Sequence, residues 1–154
     1  MSDISFSIRC AVESDIESAH KMIEALGYPN IEQAEFKKTF TEVLNHKDSR
    51  VLIAETATGQ TIGLMTVSHR PQLRLAGVVV CIDELVIADN ARGLGVGGAL
   101  LKEAKGFAAE IGAKRLELHT NRGRISYQRA FYVKNGFSET NSAVMRLEKE
   151  FIKE

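Results

Sequence analysis

The chain carries the glycine-rich run Arg92-Gly93-Leu94-Gly95-Val96-Gly97-Gly98 between a long apolar segment and a helical pattern. Glycines at such a junction leave backbone N–H groups uncovered, and the positive end of the helix dipole adds to them. A Cβ atom in their place would hold an anion's oxygens away from the backbone. Arg92 adds a guanidinium beside these donors. The run therefore predicts a site for a phosphate-bearing ligand.

The segments on either side of the run have distinct patterns. Val78 to Ala88 is apolar apart from Asp83 and Glu84, which is typical of a central strand buried on both faces. After the glycines, apolar residues at helical spacing predict a helix to about Ile111, capped by Gly112. Residues 115–120 alternate and predict a further strand. The run thus lies at a strand-to-helix turn in the second half of the chain.

The first half of the chain predicts a strand and two helices. Residues 4–11 alternate as a strand, and Ser14-Asp15-Ile16-Glu17 resembles a capping box for a helix that stops at Gly27. Asn30 can cap a second helix. The apolar side of that helix carries Phe36, Phe40, Val43 and Leu44.

The remaining segments complete an α+β pattern. A strand at Val51–Ala54, a turn at 56–60 and a returning strand precede a polar, basic loop from His69 to Gly77. Near the end, Ser126 caps a predicted helix that ends at Asn135-Gly136. Two short strands are expected at 137–140 and 143–148. We therefore expect one domain over residues 1–154, with a mixed central β-sheet flanked by about four helices.

Composition narrows the classes of partner. The formal net charge of the 154 residues is +0, so the chain lacks the excess charge that favours nucleic acid or an anionic membrane surface. We find no secretory segment and no apolar stretch of spanning length, so a cytoplasmic protein is expected. Cys10 and Cys81 lie in strand patterns and are predicted to be buried free thiols. The four histidines form no ligand pair, and no metal is expected.

Two known phosphate-binding patterns can be compared with the glycine run, the dinucleotide-binding pattern and the P-loop. Gly93, Gly95 and Gly98 satisfy the dinucleotide spacing G-x-G-x-x-G, with Glu117 near the place of a ribose-binding acid. A dinucleotide domain needs several further strand–helix repeats, whereas one helix of comparable length follows here. A P-loop is excluded because no Gly-Lys-Ser/Thr follows the glycines.

The chain resembles the GNAT N-acetyltransferase superfamily in three ordered matches that cover nearly its whole length. The first is Asp83-Glu84-Leu85-Val86-Ile87, the strand that enters the loop. The second is the glycine run, in which Arg92, Gly95 and Gly97 fit the family's Arg-x-x-Gly-x-Gly pyrophosphate loop. The third is Ala130-Phe131-Tyr132-Val133-Lys134-Asn135-Gly136-Phe137, similar to the family's closing helix. The resemblance implies the GNAT acyl-CoA N-acyltransferase fold and acetyl-CoA as co-substrate.

The resemblance also implies roles for individual residues. Residues Arg92 to Gly98 would bind the pyrophosphate, and the backbone of Leu85, Val86 and Ile87 would pair with the pantetheine arm. A freed N–H at Leu85 or Val86 would polarise the thioester oxygen. Tyr132 would be the general acid for the leaving thiolate. Asn121 would contact the cofactor arm, although Ile125 stands where the family usually has Asn or Arg.

Glu84 is the predicted general base on grounds of its own position. Burial in the strand before the loop disfavours its charged form and raises its pKa, which suits proton abstraction from an ammonium acceptor. The alternative is a carboxylate that is satisfied by a nearby arginine or a backbone donor. For Tyr132 the alternative is a core aromatic whose hydroxyl is hydrogen-bonded.

The acceptor is the most open question. The C-terminal half resembles the small-molecule branch, including aminoalkylphosphonate and aminoglycoside acetyltransferases, which implies transfer to a primary amine. Direct attack is expected because no cysteine lies near the exit of the motif strand. The first two helices and the loop at 69–77 should form the acceptor cleft. If the acceptor is acidic, basic side chains lining the cleft could bind it: His69, Arg70, Arg74, His119 and Arg122.

Three alternatives and the oligomeric state stay open. The acceptor can instead be a protein or peptide. The chain can also be a non-catalytic CoA-binding module or a nucleotide-dependent oxidoreductase. The sequence does not decide between a monomer and a homodimer, although the apolar final strands favour a homodimer.

Overall fold

The computed structural model describes residues 4–152, which form two compact units divided after His119. The first unit contains five strands, and the sheet order is β1-β2-β3-β4-β5. They are β1 (Phe6–Cys10), β2 (Ser49–Thr56), β3 (Thr61–Gln72), β4 (Gly77–Ile87) and β5 (Arg115–Leu118). Its helices are α1 (Ile16–Leu26), α2 (Gln33–Asn45) and α3 (Val96–Glu110). Short 3-10 turns cover Glu13–Asp15, Leu73–Leu75 and Asp89–Ala91.

The sheet is mixed, as the sequence predicts. Strands β1 to β4 pair antiparallel in sequence order, and β4 pairs with β5 in parallel. The α3 helix supplies the crossover between these two strands, which the parallel arrangement requires.

Helices cover both faces of the sheet. Phe40 of α2, Ile23 of α1 and Leu64 of β3 belong to one buried cluster. The preceding residue, Gly63, faces the other way, where an added Cβ would lie 3.0 Å from Val96 Cγ1 and 3.1 Å from Leu100 Cδ1. Because successive side chains of a strand point to opposite faces, α1 and α2 cover one face and α3 covers the other. The absence of a side chain at Gly63 lets α3 approach the sheet closely.

Several predicted boundaries are wrong around the first two helices. Ser14 does not cap α1: residues Glu13–Asp15 form a 3-10 turn, and the Asp15 carboxylate accepts from Val12 N at 2.8 Å. An ionised carboxylate is a stronger acceptor than a hydroxyl. The second helix starts later than Asn30 predicts, since Glu32 caps it by accepting from Glu35 N at 3.0 Å. The predicted stop at Gly27 is confirmed, with φ at 118°.

The predicted loop from His69 to Gly77 is mostly strand. β3 continues to Gln72, which pairs with Gly77 of β4, and only Leu73–Leu75 turns. Pairing with β2 ends at Ser68, so the later part of β3 is bonded on one side only. That single-sided pairing accommodates Pro71, which has no N–H to donate. The polar side chains of His69, Arg70 and Gln72 concealed this part of β3 in the sequence, because they interrupt the apolar alternation that indicates a strand.

The second unit differs most from expectation. The single helix predicted from Ser126 to Asn135 is two short helices, α4 (Ile125–Gln128) and α5 (Phe131–Lys134), separated by Ala130 at φ 55°. The strands predicted at 137–140 and 143–148 are not formed in the described structure, and Lys149–Phe151 is a 3-10 turn. Met145 is 91% exposed, so the apolar alternation there buries no face that would stabilise a strand.

One cysteine prediction also fails. Cys81 is buried in the sheet as a free thiol, whereas Cys10 is a free thiol on the exposed edge strand β1. An edge strand leaves one side uncovered, and the sequence pattern does not reveal which strand lies at the edge.

Candidate functional site

Within the described residues, the C-terminal half of β4 pairs with another strand on one side only. Its parallel pairing with β5 ends at Ile82 and Leu118, while β4 itself continues to Ile87. On the other side, Ala88 N donates to Ile62 O at 2.9 Å and Glu84 N donates to Thr66 Oγ1 at 3.0 Å. Amide directions alternate along a strand, so Leu85 N–H and Ile87 N–H face the open side. The segment thus offers backbone groups to an extended ligand.

A β-bulge sets the direction of Glu84. Thr66 pairs with Glu84 and Val67 pairs with Ile82, so Asp83 is an extra residue on β4. An extra residue reverses the alternation that follows it. Glu84 therefore lies on the same face as Thr66, towards α1 and α2, while Ile82 lies on the α3 face with Val67.

Thr66 holds the carboxylate of Glu84. Its hydroxyl accepts from the Glu84 amide and donates to Glu84 Oε2. No arginine contacts this carboxylate in the described residues, which removes the ion-pair alternative of the sequence analysis. Nothing in the sequence indicates Thr66, because the pairing register across the bulge cannot be deduced from spacing.

The environment of Glu84 favours the protonated, uncharged form of its carboxyl group. Burial, followed by the nearby charge of Asp83, raises the pKa of Glu84 from 4.5 to about 7. The direction matches the expectation for a carboxylate in a buried strand. At neutral pH both protonation states are populated, which is the condition for an efficient general base.

A groove of about 540 Å³ opens beside this carboxylate, between α1, α2 and the sheet. Glu84 and Thr66 contribute its polar floor. Its apolar walls include Ala19, Ile23, Phe36, Phe40, Val43 and Leu64. The sequence predicts an acceptor cleft formed by the first two helices and the loop at 69–77; both helices line this groove, whereas residues 69–77 do not. The size of the groove is typical of a small-molecule site.

The glycine run forms an open turn into α3. Gly93 and Gly95 have φ of 77° and 84°. Chain neighbours aside, no atom of residues 4–152 lies within 4 Å of a Cβ placed on either residue. α3 begins at Val96, and Ala99 N donates to Gly95 O at 3.0 Å, so the amides of residues 96–98 precede the first intrahelical bond. Val96 and Gly97 are buried at the start of α3, Gly98 is half-buried, and Leu94 is exposed. Arg92 donates to Asp89 Oδ1 at 2.9 Å and is half-exposed, which leaves further N–H groups for a ligand.

The second unit contains the other two predicted site residues. Asn121 is exposed, and its Oδ1 accepts from Gly123 N at 2.7 Å, as in a local turn. The ring of Tyr132 packs edge-on against Phe131 and Phe137, with centroids at 5.1 and 6.1 Å. Burial raises the pKa of Tyr132, and Arg124 and the hydroxyls of Ser126 and Thr120 partly offset the rise. The phenol therefore carries its proton at neutral pH.

The residues suggested for an acidic acceptor lie elsewhere. His69 packs edge-on against Phe107 of α3 at 5.7 Å and lies 3.5 Å from Asp48, on the face away from Glu84. Arg70 and Arg74 are exposed, and His119 is exposed after β5. None of these four residues lines the groove. In the second unit, Arg122 is paired with Glu139 at 2.5 Å.

Residues 4–152 present neither a metal cluster nor a membrane-spanning helix. No group of three or more His, Cys, Asp or Glu side chains is arranged to hold a metal ion in that range. No helix in the same range is long and apolar enough to span a membrane.

Comparison with known proteins identifies the class. The sequence model of the acetyltransferase (GNAT) family matches residues 10–137, across both units. The chain therefore belongs to the GNAT acetyltransferase family and is an N-acetyltransferase. This result confirms the resemblance and the α+β fold class predicted from the sequence.

Individual relatives agree with that assignment. The chain is 27% identical over 134 residues to an aminoalkylphosphonate N-acetyltransferase of Salmonella typhimurium (strain LT2), covering 87% of this chain and 86% of that one. It is 32% identical over 101 residues to the uncharacterized N-acetyltransferase YhfO of Bacillus subtilis (strain 168), covering 66% of each. An aminoglycoside N-acetyltransferase solved in complex with CoA shares the fold, with a TM-score of 0.82, 17% identity and coverage of 96% and 97%.

Proposed function

We propose that this chain transfers an acetyl group from acetyl-CoA to the primary amine of a small molecule by direct attack, with residues 1–154 acting as one catalytic domain. The observation that carries the proposal is the one-sided pairing of β4 beyond Ile82, where Glu84 faces a groove and the glycine turn follows. The family match across both units supports the single catalytic domain.

Binding of acetyl-CoA would use backbone groups for the most part. The amides of residues 93–98 and the guanidinium of Arg92 suit the pyrophosphate. The backbone of Leu85 to Ile87 would pair with the amides of the pantetheine arm as an added strand does. The resemblance adds Asn121 as a contact to the same arm, through the amide nitrogen that its turn leaves available.

The chemistry requires one acyl transfer, the loss of two protons from the ammonium and the protonation of the leaving thiolate. Glu84 would take a proton from the ammonium, directly or through a water, so that the nitrogen lone pair can attack the thioester carbonyl. Of the two amides considered from the sequence, the strand direction favours Leu85 N–H as the donor to the carbonyl oxygen. As the C–N bond forms and the C–S bond breaks, Tyr132 would supply a proton to the leaving thiolate. The nitrogen then loses its second proton, which would return the Tyr132 phenolate to a phenol.

Direct attack is favoured over an acyl-enzyme route by the state of both thiols. Burial, then the charge of Asp83, raises the pKa of Cys81 to about 12, so this residue is a thiol at neutral pH. The thiolate is the nucleophilic form. Cys10 lies on β1, three strands away from β4 in the sheet order.

The first test is thermal unfolding with acetyl-CoA, CoA and NAD measured side by side. A ligand at about 100 times its Kd adds about 2.7 kcal/mol, which raises the Tm of a domain of this size by about 5–10 °C. We expect this shift with the two CoA compounds. A shift with NAD alone would overturn the proposal and revive the oxidoreductase alternative.

Turnover is tested next, by release of the CoA thiol with a panel of small primary amines and, separately, with peptides. Mass spectrometry should detect the acetylated amine. We expect Tyr132→Phe to lower kcat with little change in the KM for acetyl-CoA, since it removes only the proton donor. Turnover with peptides alone would refute the small-molecule part of the proposal. Binding of acetyl-CoA without any turnover would leave only a CoA-binding module.

A further inference from the structure

The groove beside Glu84 has a predominantly apolar wall. Residues of α1 and α2 supply Ala19, Ile23, Phe36, Phe40 and Val43, and the sheet supplies Leu64 and Val51. Hydrocarbon or ring surface of a ligand gains free energy from burial against such side chains. A strongly hydrated ligand group placed against this wall would lose its water without replacement hydrogen bonds.

The charges around the groove favour a cation. Among the described residues, Glu35, Glu42 and Glu84 line the groove together with one cationic side chain, Lys38. Arg70 and Arg74 do not line it. A dianionic phosphonate would therefore meet the carboxylates of Glu35 and Glu42, the partly ionised carboxyl of Glu84 and one ammonium, whereas an amine would meet a favourable potential.

Stacked rings fix the α2 wall in place. His20 of α1 stacks on Phe36, with centroids 4.4 Å apart and planes at 12°, and Phe36 lies 6.0 Å from Phe40. His20 Nε2 also lies within 3.1 Å of Ile31 O, at the start of the second helix region. Rings ordered before the ligand arrives lower the entropic cost of binding an apolar group against them.

We infer that the acceptor of this enzyme is an apolar primary amine, with an aryl or alkyl body against Phe36 and Phe40 and an ammonium directed at Glu84. The inference depends on the proposed function, because it specifies the acceptor of that same reaction. It differs from the acidic acceptor considered from the sequence, and from the substrate named for the Salmonella relative, which is 27% identical.

The test compares phenethylamine with 2-aminoethylphosphonate, which share an aminoethyl group and differ in the terminal phenyl or phosphonate. At saturating acetyl-CoA we expect kcat/KM to be at least tenfold higher for phenethylamine, as full burial of an aromatic side chain suggests. Calorimetric titration of each amine into the CoA-saturated protein measures the same preference without turnover. A preference for the phosphonate in both assays overturns the inference and leaves the proposed function intact.

A matched pair of variants on α2 tests the location. Thr39→Arg adds a guanidinium to the groove, and Ala34→Arg adds one to an exposed position of the same helix outside it. We expect Thr39→Arg to lower the ratio of kcat/KM for phenethylamine to kcat/KM for 2-aminoethylphosphonate by at least tenfold. Ala34→Arg should leave this ratio unchanged. Equal effects of the two substitutions would refute the assignment of the groove.

The two proposals fail in distinguishable ways. Tighter calorimetric binding of phenethylamine with no CoA release supports the acceptor class and contradicts the proposed catalysis. CoA release with the phosphonate or with peptides, and none with phenethylamine, contradicts the acceptor class alone.

Discussion

The hydroxyl of Thr66 on β3 lies between the backbone amide and the carboxylate of Glu84 on β4, next to the β-bulge in the pairing of these two strands. It accepts from the amide at 3.0 Å and donates to Oε2. One side chain thus fixes both the backbone position and the carboxylate orientation of the predicted base. Thr66 is a positioning residue: it acts through Glu84.

Thr66→Val keeps the branched shape and removes both hydrogen bonds. We expect kcat to fall about tenfold, a loss typical of a hydrogen bond to a charged group. The acid limb of the pH profile should move to higher pH, because a donor that favours the carboxylate is lost. Thr66→Ser should retain near-normal activity. A Thr66→Val enzyme with an unshifted pH profile would show that the contact is only structural.

Glu84 should impose an acid limb on the rate. Its pKa of about 7 means that the ionised base is lost as pH falls through neutrality, so kcat/KM should fall there. Glu84→Gln should remove this limb and lower the rate by about 10²–10⁴-fold, as loss of a general base does. The measurement is CoA release from pH 5.5 to 9 with one amine. Persistence of the limb in Glu84→Gln would assign it to another group, the acceptor included.

The same carboxylate should lower stability at alkaline pH. Its pKa is about 7 in the folded chain and 4.5 ordinarily, so the folded state holds more protons between these values. The free energy of unfolding therefore falls as pH rises through this window. Glu84→Gln has no carboxyl group at this position and so does not lose stability in this way. The Tm of the variant minus the Tm of the parent should therefore be larger at pH 8 than at pH 4.5. A pH-independent difference in Tm would contradict the raised pKa.

Gly95 and Gly59 form a matched pair. Their φ angles are 84° and 83°, and in the described part of the chain no atom beyond their neighbours lies within 4 Å of the place a Cβ would occupy. Alanine should therefore cost each position about 1–2 kcal/mol in backbone strain. Only Gly95 belongs to the predicted pyrophosphate loop. We expect equal losses of stability, but an increase of about tenfold in the KM for acetyl-CoA only for Gly95→Ala. Similar KM values for both variants would argue against the loop as the phosphate site.

Arg9 joins the start of α1 to the sheet through two carboxylates. Its guanidinium donates to Asp15 at 2.7 and 2.9 Å and to Glu55 at 2.9 and 3.0 Å. Hydrogen bonding from Arg9 holds the pKa of Asp15 below 3.8, so this stabilisation is present above that pH and lost in more acidic solution. Asp15→Asn should cost about 2 kcal/mol in urea unfolding at pH 7, and less at pH 3.

The exposed pair of Arg146 and Glu148 is the control for that measurement. Its atoms lie 3.8 Å apart, and both side chains are more than half exposed, at 73% and 63%. Arg146→Ala should change stability by less than about 0.5 kcal/mol. A comparable loss in both variants would show that Asp15 contributes no more than a surface charge.

The sequence predicted well where one local rule determines the structure. The buried strand of β4, the glycine turn into α3 and the stop at Gly27 depend on apolar runs or on positive φ, which neighbouring residues specify. The family motifs predicted the class for the same reason, since they lie in those segments.

Prediction failed where distant pairing decides. The bulge at Asp83, the contact of Thr66 with Glu84 and the bridge from Arg9 to Glu55 join residues far apart in the chain. The break at Ala130 is similar, because a non-glycine residue at φ 55° carries no sequence signal. The chemistry of the groove depends on which helix faces meet, and so it became visible only in three dimensions.

The extra residue Asp83 determines which face of the sheet receives each side chain in the second half of β4. Val80 and Ile82 share the α3 face with their partners His69 and Val67, whereas Glu84 and Val86 lie on the opposite face with Thr66 and Leu64. Deletion of the single codon for Asp83 would exchange the two faces of everything downstream in the strand and direct the carboxylate at α3. A one-residue deletion at Asp83 therefore changes the site as well as the length of the strand. Sequences of relatives should be aligned separately before and after this position.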